Sequence, residues 1–270
     1  MSDRSPQTLI SLTCSNTEIV SALGCADRLV AVDDHSDFPP EVVERLPRVG
    51  PDLTIDVPRV AALEPDLVLA SLTVPGHEKV VANLEAAGLP FIAPAPQSIE
   101  DVYSNIVDIA SLLGVDERGL AVVEEMRRAL EPAPPRGHRP SIAVQWWPKP
   151  VIVPGQKSWV HDLIERAGGR NVLDEPVESR PLTDEEFAAM APDAVVLSWC
   201  GVEEAKYRPD VVYDKPLWRN MPAVRRRRVV PITEAWLGRP SPRLAEGYRA
   251  LRRLIDVLEA EAEGPAPPPV

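Results

Sequence analysis

The segment Asp33-Asp34-His35-Ser36-Asp37 is the densest group of metal-ligating and acid-base side chains in the chain. On an extended backbone alternate residues share a side, so Asp33, His35 and Asp37 would present two carboxylates and an imidazole together. Such a set could hold a divalent metal and activate water, as in a metal-dependent hydrolase. The same residues also read as a polar loop at the carboxyl end of a strand, where open α/β sheets bind ligands. No other catalytic signature stands in the sequence: GxGxxG, GxxxxGKS or GxxxxGKT, GxSxG and HExxH are absent. No nucleophile with a base beside it can be named, so the expectation is a protein without turnover and without resident cofactor or metal.

Aromatic residues point to binding instead. The chain has 6 Trp against 3 Phe. Trp146 and Trp147 follow a strand candidate at residues 142–145, Trp199 follows one at 194–198, and Trp236 comes soon after one at 229–232. In a parallel sheet these ends share one edge, and gathered indoles suit a large planar or hydrophobic ligand, although any single Trp by itself reads more readily as core than as site. Tyr207 and Arg239 are the visible candidates for meeting ligand oxygens. Arg225, Arg226, Arg227 and Arg228 read as a solvated turn, and His77, His138 and His161 as surface or capping residues.

The elements that must position these residues follow an α/β grammar. Residues 8–12 are a short apolar strand. Ser15-Asn16-Thr17-Glu18 has the Ser-x-x-Glu form of a capping box, which starts a helix that Gly24 ends. Strands at 29–32, 66–70 and 91–93 surround an amphipathic stretch from 77 to 87, closed by Gly88. Strands alternating with helices imply a parallel sheet with right-handed crossovers. Helical spacing then runs from 98 to 113 and again from 116 to about 130, until the proline-rich 131–140 breaks it. The second half has strands at 142–145, 194–198 and 229–232 and helices near 159–167, 183–189 and 242–260. The fold class is α/β: two α/β lobes with central, mainly parallel sheets, spanning 8–114 and 140–260. One long bridging helix at 115–131, or beginning near 98, joins them, a ligand cleft lies between them, and residues 261–270 form a disordered tail.

Composition bounds the partners. Lys and Arg total 29 against 41 Asp and Glu over 270 residues, a net charge of −12. That balance disfavours nucleic acid, which needs a basic face, and favours a small molecule bound by a monomer. No run approaches the ~20 apolar residues of a membrane span, and the opening MSDRSPQTLISL lacks an adequate apolar region for a signal peptide. The reading is cytoplasmic as written, with an extracytoplasmic protein whose signal has been removed as the alternative. Three cysteines, Cys14, Cys25 and Cys200, make no CxxC pair and argue against a disulfide framework.

The segments LISLTCSNTEIVSALGCADRLVAVDDHSDFPPEV, PRVG, ALEPDLVLA and RPSPRLAEGYRAL, in this order over about residues 8–257, resemble the substrate-binding proteins of cobalamin and ferric-siderophore ABC importers. The Asn16-Thr17-Glu18 turn, the Ser36-Asp37-Phe38-Pro39-Pro40 loop and Ser241-Pro242-Arg243 look most like the cobalamin-binding branch. The resemblance implies two lobes rigidly bridged by a helix, a shallow cleft and little hinge motion. It implies a cobalamin-like corrinoid as ligand, with a ferric siderophore or haem as the alternative. Carried over position by position, it makes Cys14, Ser15, His35, Phe38, Ser71, Trp146, Trp147, Trp199, Trp236 and Arg239 the ligand-binding set. Phe38 stands where the branch often has Tyr, Ser71 where a relative has Trp, and Cys14 where proline is usual. Cys14 then either faces the ligand from the first helix's amino end or is a small buried residue replacing that proline. The resemblance also implies an ABC permease as partner, docked through Glu78 on the first lobe and Glu203 or Glu204 on the second.

Overall fold

Short apolar runs build the first sheet: β1 (Leu9–Ser11), β2 (Leu29–Val32), β3 (Leu67–Leu69) and β4 (Phe91–Ile92). The computed structural model describes residues 5–134 and 137–263. It divides into two units, Met1–Pro96 with Glu100–Arg127 and Gln97–Ile99 with Arg128–Val270. The first unit holds β1–β4 in the order β2-β1-β3-β4, all parallel. Strands covered on both faces favour continuous apolar sequence over alternation, as β3 (Leu-Val-Leu) shows; β1 is also buried throughout, with its one polar residue, Ser11, hydrogen-bonded. On one face Ile10, Ala31, Val68 and Ala70 pack with Val57 and Val60 of helix Val57–Ala62 and with Val80 and Leu84 of helix His77–Ala86.

The second unit contains β5 (Ser141–Gln145), β6 (Trp147–Pro148), β7 (Val151–Pro154), β8 (Arg170–Asn171), β9 (Ser179–Leu182), β10 (Ala194–Leu197) and β11 (Val229–Pro231). A parallel sheet runs β11-β10-β5-β8 and a separate antiparallel sheet runs β6-β7-β9. Sequence patterning did not anticipate the second sheet, because its strands carry Pro148, Pro154 and Pro181. Proline suits strand ends and edges, where no ladder N–H is needed, and β9 is an edge strand. The core of this unit gathers Phe187, Trp199, Tyr207 and Trp218. The Phe187 and Trp218 rings meet edge-on at 4.9 Å, and the Trp218 indole donates to the Asp184 carbonyl at 2.9 Å.

One expectation is corrected at the level of elements. The first helix spans Cys14–Ala22 with Thr13 as its N-cap residue, so Ser15 lies inside it and no Ser15–Glu18 capping box forms. A capping box does form at Thr183 and Glu186, ahead of helix Asp184–Met190. Helical spacing at 98–113 and 116–130 corresponds to two helices, Ile99–Leu112 and Asp116–Ala129, separated at Gly114 with a φ of 68°. Contacts group nearly all of both with the first unit, and the chain enters the second briefly at Gln97–Ile99 and for good after Arg127. Helix Leu244–Glu263 carries regular structure through residues 261–263; the rest of the expected tail lies outside the described residues.

Candidate functional site

The loops at the carboxyl edge of the first sheet hold most of the residues expected there. Asp33 follows β2 directly and is fully buried. Its carboxylate accepts from Ser36 Oγ at 2.5 Å and from the His35 backbone N–H at 2.9 Å. Burial raises its pKa above the ordinary 3.8, with those two hydrogen bonds opposing the rise. Ser36 continues a buried chain through Thr17 to Ser11, each link 2.8 Å, and Arg48 donates to the Asp33 and Ser36 carbonyls. These bonds fix the loop that displays Phe38, whose ring is 40% exposed.

The metal-hydrolase triad is therefore corrected. A turn replaces the extended run at residues 34–35, so Asp33 faces inward while His35 and Asp37 are exposed. Among the described residues no group of three or more His, Cys, Asp and Glu could hold a metal ion. His35 instead lies 3.6 Å from Asp52, which also meets His77 Nε2 at 3.3 Å. His77, read from sequence as a surface or capping residue, is buried. The His77 hydrogen bond, foremost, holds the Asp52 carboxyl below its ordinary range, against the opposing effect of burial. Asp52 carried no sequence signal, because its partners are 17 and 25 residues away.

Asn16 donates to the Ala70 carbonyl at 2.7 Å, tying the first helix to the end of β3. There Ser71 is buried and its hydroxyl meets Thr73 Oγ1 at 2.9 Å. Cys14 is half-buried at the first position of its helix, and Ser15 is buried beside Thr13, 3.3 Å between hydroxyls. Glu78 is exposed in the first turn of helix His77–Ala86. Its own N–H and the Gly76 N–H, the latter at 2.9 Å, lower its pKa.

In the second unit β11, β10 and β5 are parallel neighbours, so the residues that follow them share the carboxyl edge of one sheet. Trp146 is half-buried, its ring 6.1 Å from that of Trp159. Trp147 is 41% exposed, and Trp236 is half-buried in helix Glu234–Leu237. Trp199 is core: it is buried, its indole donates to Gln145 Oε1 at 3.0 Å and its ring lies 5.3 Å from Tyr207. Tyr207 donates to the Trp199 carbonyl and accepts from the Glu234 N–H, and burial pushes its phenol up to about 12. Arg239 is buried against Glu234 at 3.3 Å. Glu203 and Glu204 are exposed, and Glu203 pairs with Lys206 at 3.1 Å. Trp159, which stacks toward Trp146 and donates to the Leu237 carbonyl at 2.7 Å, was missed in the sequence because it read as a helix start.

No helix among the described residues is long and apolar enough to cross a membrane. The chain is 27% identical over 261 residues to an uncharacterized ABC transporter substrate-binding lipoprotein of Bacillus subtilis (strain 168), covering 93% of this chain and 81% of that one. It is 27% identical over 264 residues to a vitamin B12-binding protein of Vibrio parahaemolyticus, covering 96% and 90%. Among solved structures, a periplasmic haem-binding protein of Roseiflexus superposes with a TM-score of 0.78 at 25% identity, covering 93% and 98%. The family model described as periplasmic binding protein matches residues 9–235, and the chain belongs to that family.

Proposed function

We propose that this protein is the non-catalytic binding component of an ABC importer and that its ligand is a cobalamin-like corrinoid. The observation that carries the reading is the pair of exposed aromatic rings that follow β2 and β5, Phe38 at 40% and Trp147 at 41%. Exposed rings at strand ends offer flat apolar surface to a large planar ligand. The hydrogen bonds around Asp33 leave it as a loop brace rather than an acid-base catalyst. The vitamin B12-binding relative supports the corrinoid, and the relatives' names, one a lipoprotein and one periplasmic, favour the extracytoplasmic alternative.

Haem or a ferric siderophore is the second reading, favoured by the haem-binding neighbour. Against it, the two residues suited to anionic or ferric oxygen chemistry are engaged: Tyr207 keeps its proton to about pH 12, and Arg239 faces Glu234. Titrating the protein with cyanocobalamin and with haemin while following Trp fluorescence tests the choice. Quenching by cyanocobalamin below ~10 μM, about −7 kcal/mol, with weaker quenching by haemin is the expected result. Tighter binding of haemin replaces the corrinoid reading with the second one, and no quenching by either removes both.

A further inference from the structure

Three side-chain polar atoms at the carboxyl ends of β5 and β10 are buried without a hydrogen-bond partner among the described residues: Gln145 Nε2, Trp146 Nε1 and Ser198 Oγ. Buried donors left unpaired cost free energy, so native chains keep few of them. Here three fall on two adjacent strands. β10 pairs with β5 with Leu197 opposite Gln145. The Ser198 N–H donates to the Gln145 carbonyl at 3.0 Å, which carries the ladder one step further and sets Ser198 beside Trp146. Side chains alternate between faces, so Gln145 shares one face with Trp199, and Trp146 shares the other with Ser198.

Asn171 Oδ1 on β8 and Arg228 Nε before β11 are also buried without a partner among the described residues, whereas the indole donors near Trp146 are satisfied. Trp199 Nε1 donates to Gln145 Oε1 at 3.0 Å, which uses the amide oxygen and leaves Nε2 as the spare donor. Trp159 Nε1 donates to the Leu237 carbonyl at 2.7 Å. Trp146, whose ring lies tilted by 37° against that of Trp159, is half-buried while its N–H is sealed. Rotation of that ring would turn its N–H outward.

We infer that Trp146 and Ser198, neighbours on one face of the strand pair, form a hydrogen-bond donor set for oxygen acceptors at the rim of the ligand, carboxamide or carboxylate groups, with the Trp146 ring as the part that moves. The inference rests on the ligand-binding reading above and adds what the site selects: a flat ligand with an oxygen-bearing rim over one with an all-alkyl rim. The rings supply area, and these donors supply specificity, because a buried donor set rejects a ligand that leaves it unpaired.

Trp146→Phe and Ser198→Ala remove the donors with little change of shape. Ligand absorbance then reports Kd for cyanocobalamin and for haemin, and thermal melts report stability. The expected result, for whichever probe the parent binds more tightly, is a loss of roughly fivefold or more in affinity for Trp146→Phe and Ser198→Ala. Their melting temperatures should match or exceed the parent's, because an unpaired buried donor has been removed. Affinities within twofold of the parent overturn the inference. If the parent binds neither probe, the proposed function fails, and the donor set is judged on the melts alone. Melting temperatures at or above the parent's support it, whereas a fall in both variants shows donors held in a permanent internal network and overturns it.

Discussion

Asp52 links His35 on the loop after β2 with His77 at the start of helix His77–Ala86, at 3.6 and 3.3 Å. Its pKa is lowered from 3.8, chiefly by the His77 hydrogen bond. A carboxyl with a depressed folded pKa contributes stability that is present above 3.8 and lost as pH falls through the lower folded value. Asp52→Asn should therefore cost about 1 kcal/mol at neutral pH, and the gap to the parent should close as acid protonates the parent's carboxyl. Urea melts at neutral and strongly acidic pH measure it; a gap that is constant with pH shows that the charge is not involved. Asp33 has the opposite sign. Its raised pKa means that stability from this group is greatest below 3.8 and falls as pH rises through the folded value. The two acids differ because one lies in a fully buried brace and the other faces an imidazole. At the same scale, Trp147→Ala and Trp236→Ala should each weaken the bound chelate by about 2 kcal/mol or more, the size of a hot-spot truncation, with unchanged far-UV circular dichroism. Parental affinity in both would remove these rings from the site.

Element by element, legibility followed the range of the interactions. β2, buried at three of its four residues, stands at residues 29–32 where its apolar run put it. β9 could not be read, because Ser179–Leu182 becomes a strand only by pairing with β7 and has no apolar run of its own. The tryptophans' common edge was readable from strand order, but the core position of Trp199 was not, since its bond to Gln145 joins residues 54 apart. The misread capping box gives the sharpest contrast. Ser15-x-x-Glu18 has the right residues two positions late, because the helix already begins at Cys14 behind Thr13. Thr183-x-x-Glu186 makes both reciprocal bonds, at 3.1 and 2.8 Å. Thr183→Ala should cost about 1 kcal/mol, the usual loss at a cap, and Ser15→Ala less than about 0.5 kcal/mol, as at a site with no such role. Chemical denaturation ranks the pair; an equal or larger loss for Ser15→Ala places the working cap at the first helix after all.

Across the whole molecule each unit has its own parallel sheet and apolar cluster, and the charge they carry together is −12. A chain of that sign is drawn to basic surfaces over distances set by salt. The permease docking proposed for Glu78, Glu203 and Glu204 depends on this. Glu78 is exposed, and backbone N–H groups hold its carboxyl below the ordinary range, so it keeps its charge into mild acid. It belongs to the same helix as His77 but makes no bond in the brace around Asp33, which allows docking and ligand binding to be separated. Glu78→Gln should leave the chelate's Kd within twofold of the parent while slowing association with the cognate permease about tenfold at low salt. The deficit should shrink as added salt screens the exposed charge in the parent as well. Flow binding to the permease in lipid nanodiscs, with ligand affinity measured in parallel, reads both quantities. A parental association rate removes Glu78 from the interface, and a loss of ligand affinity instead moves it into the binding site.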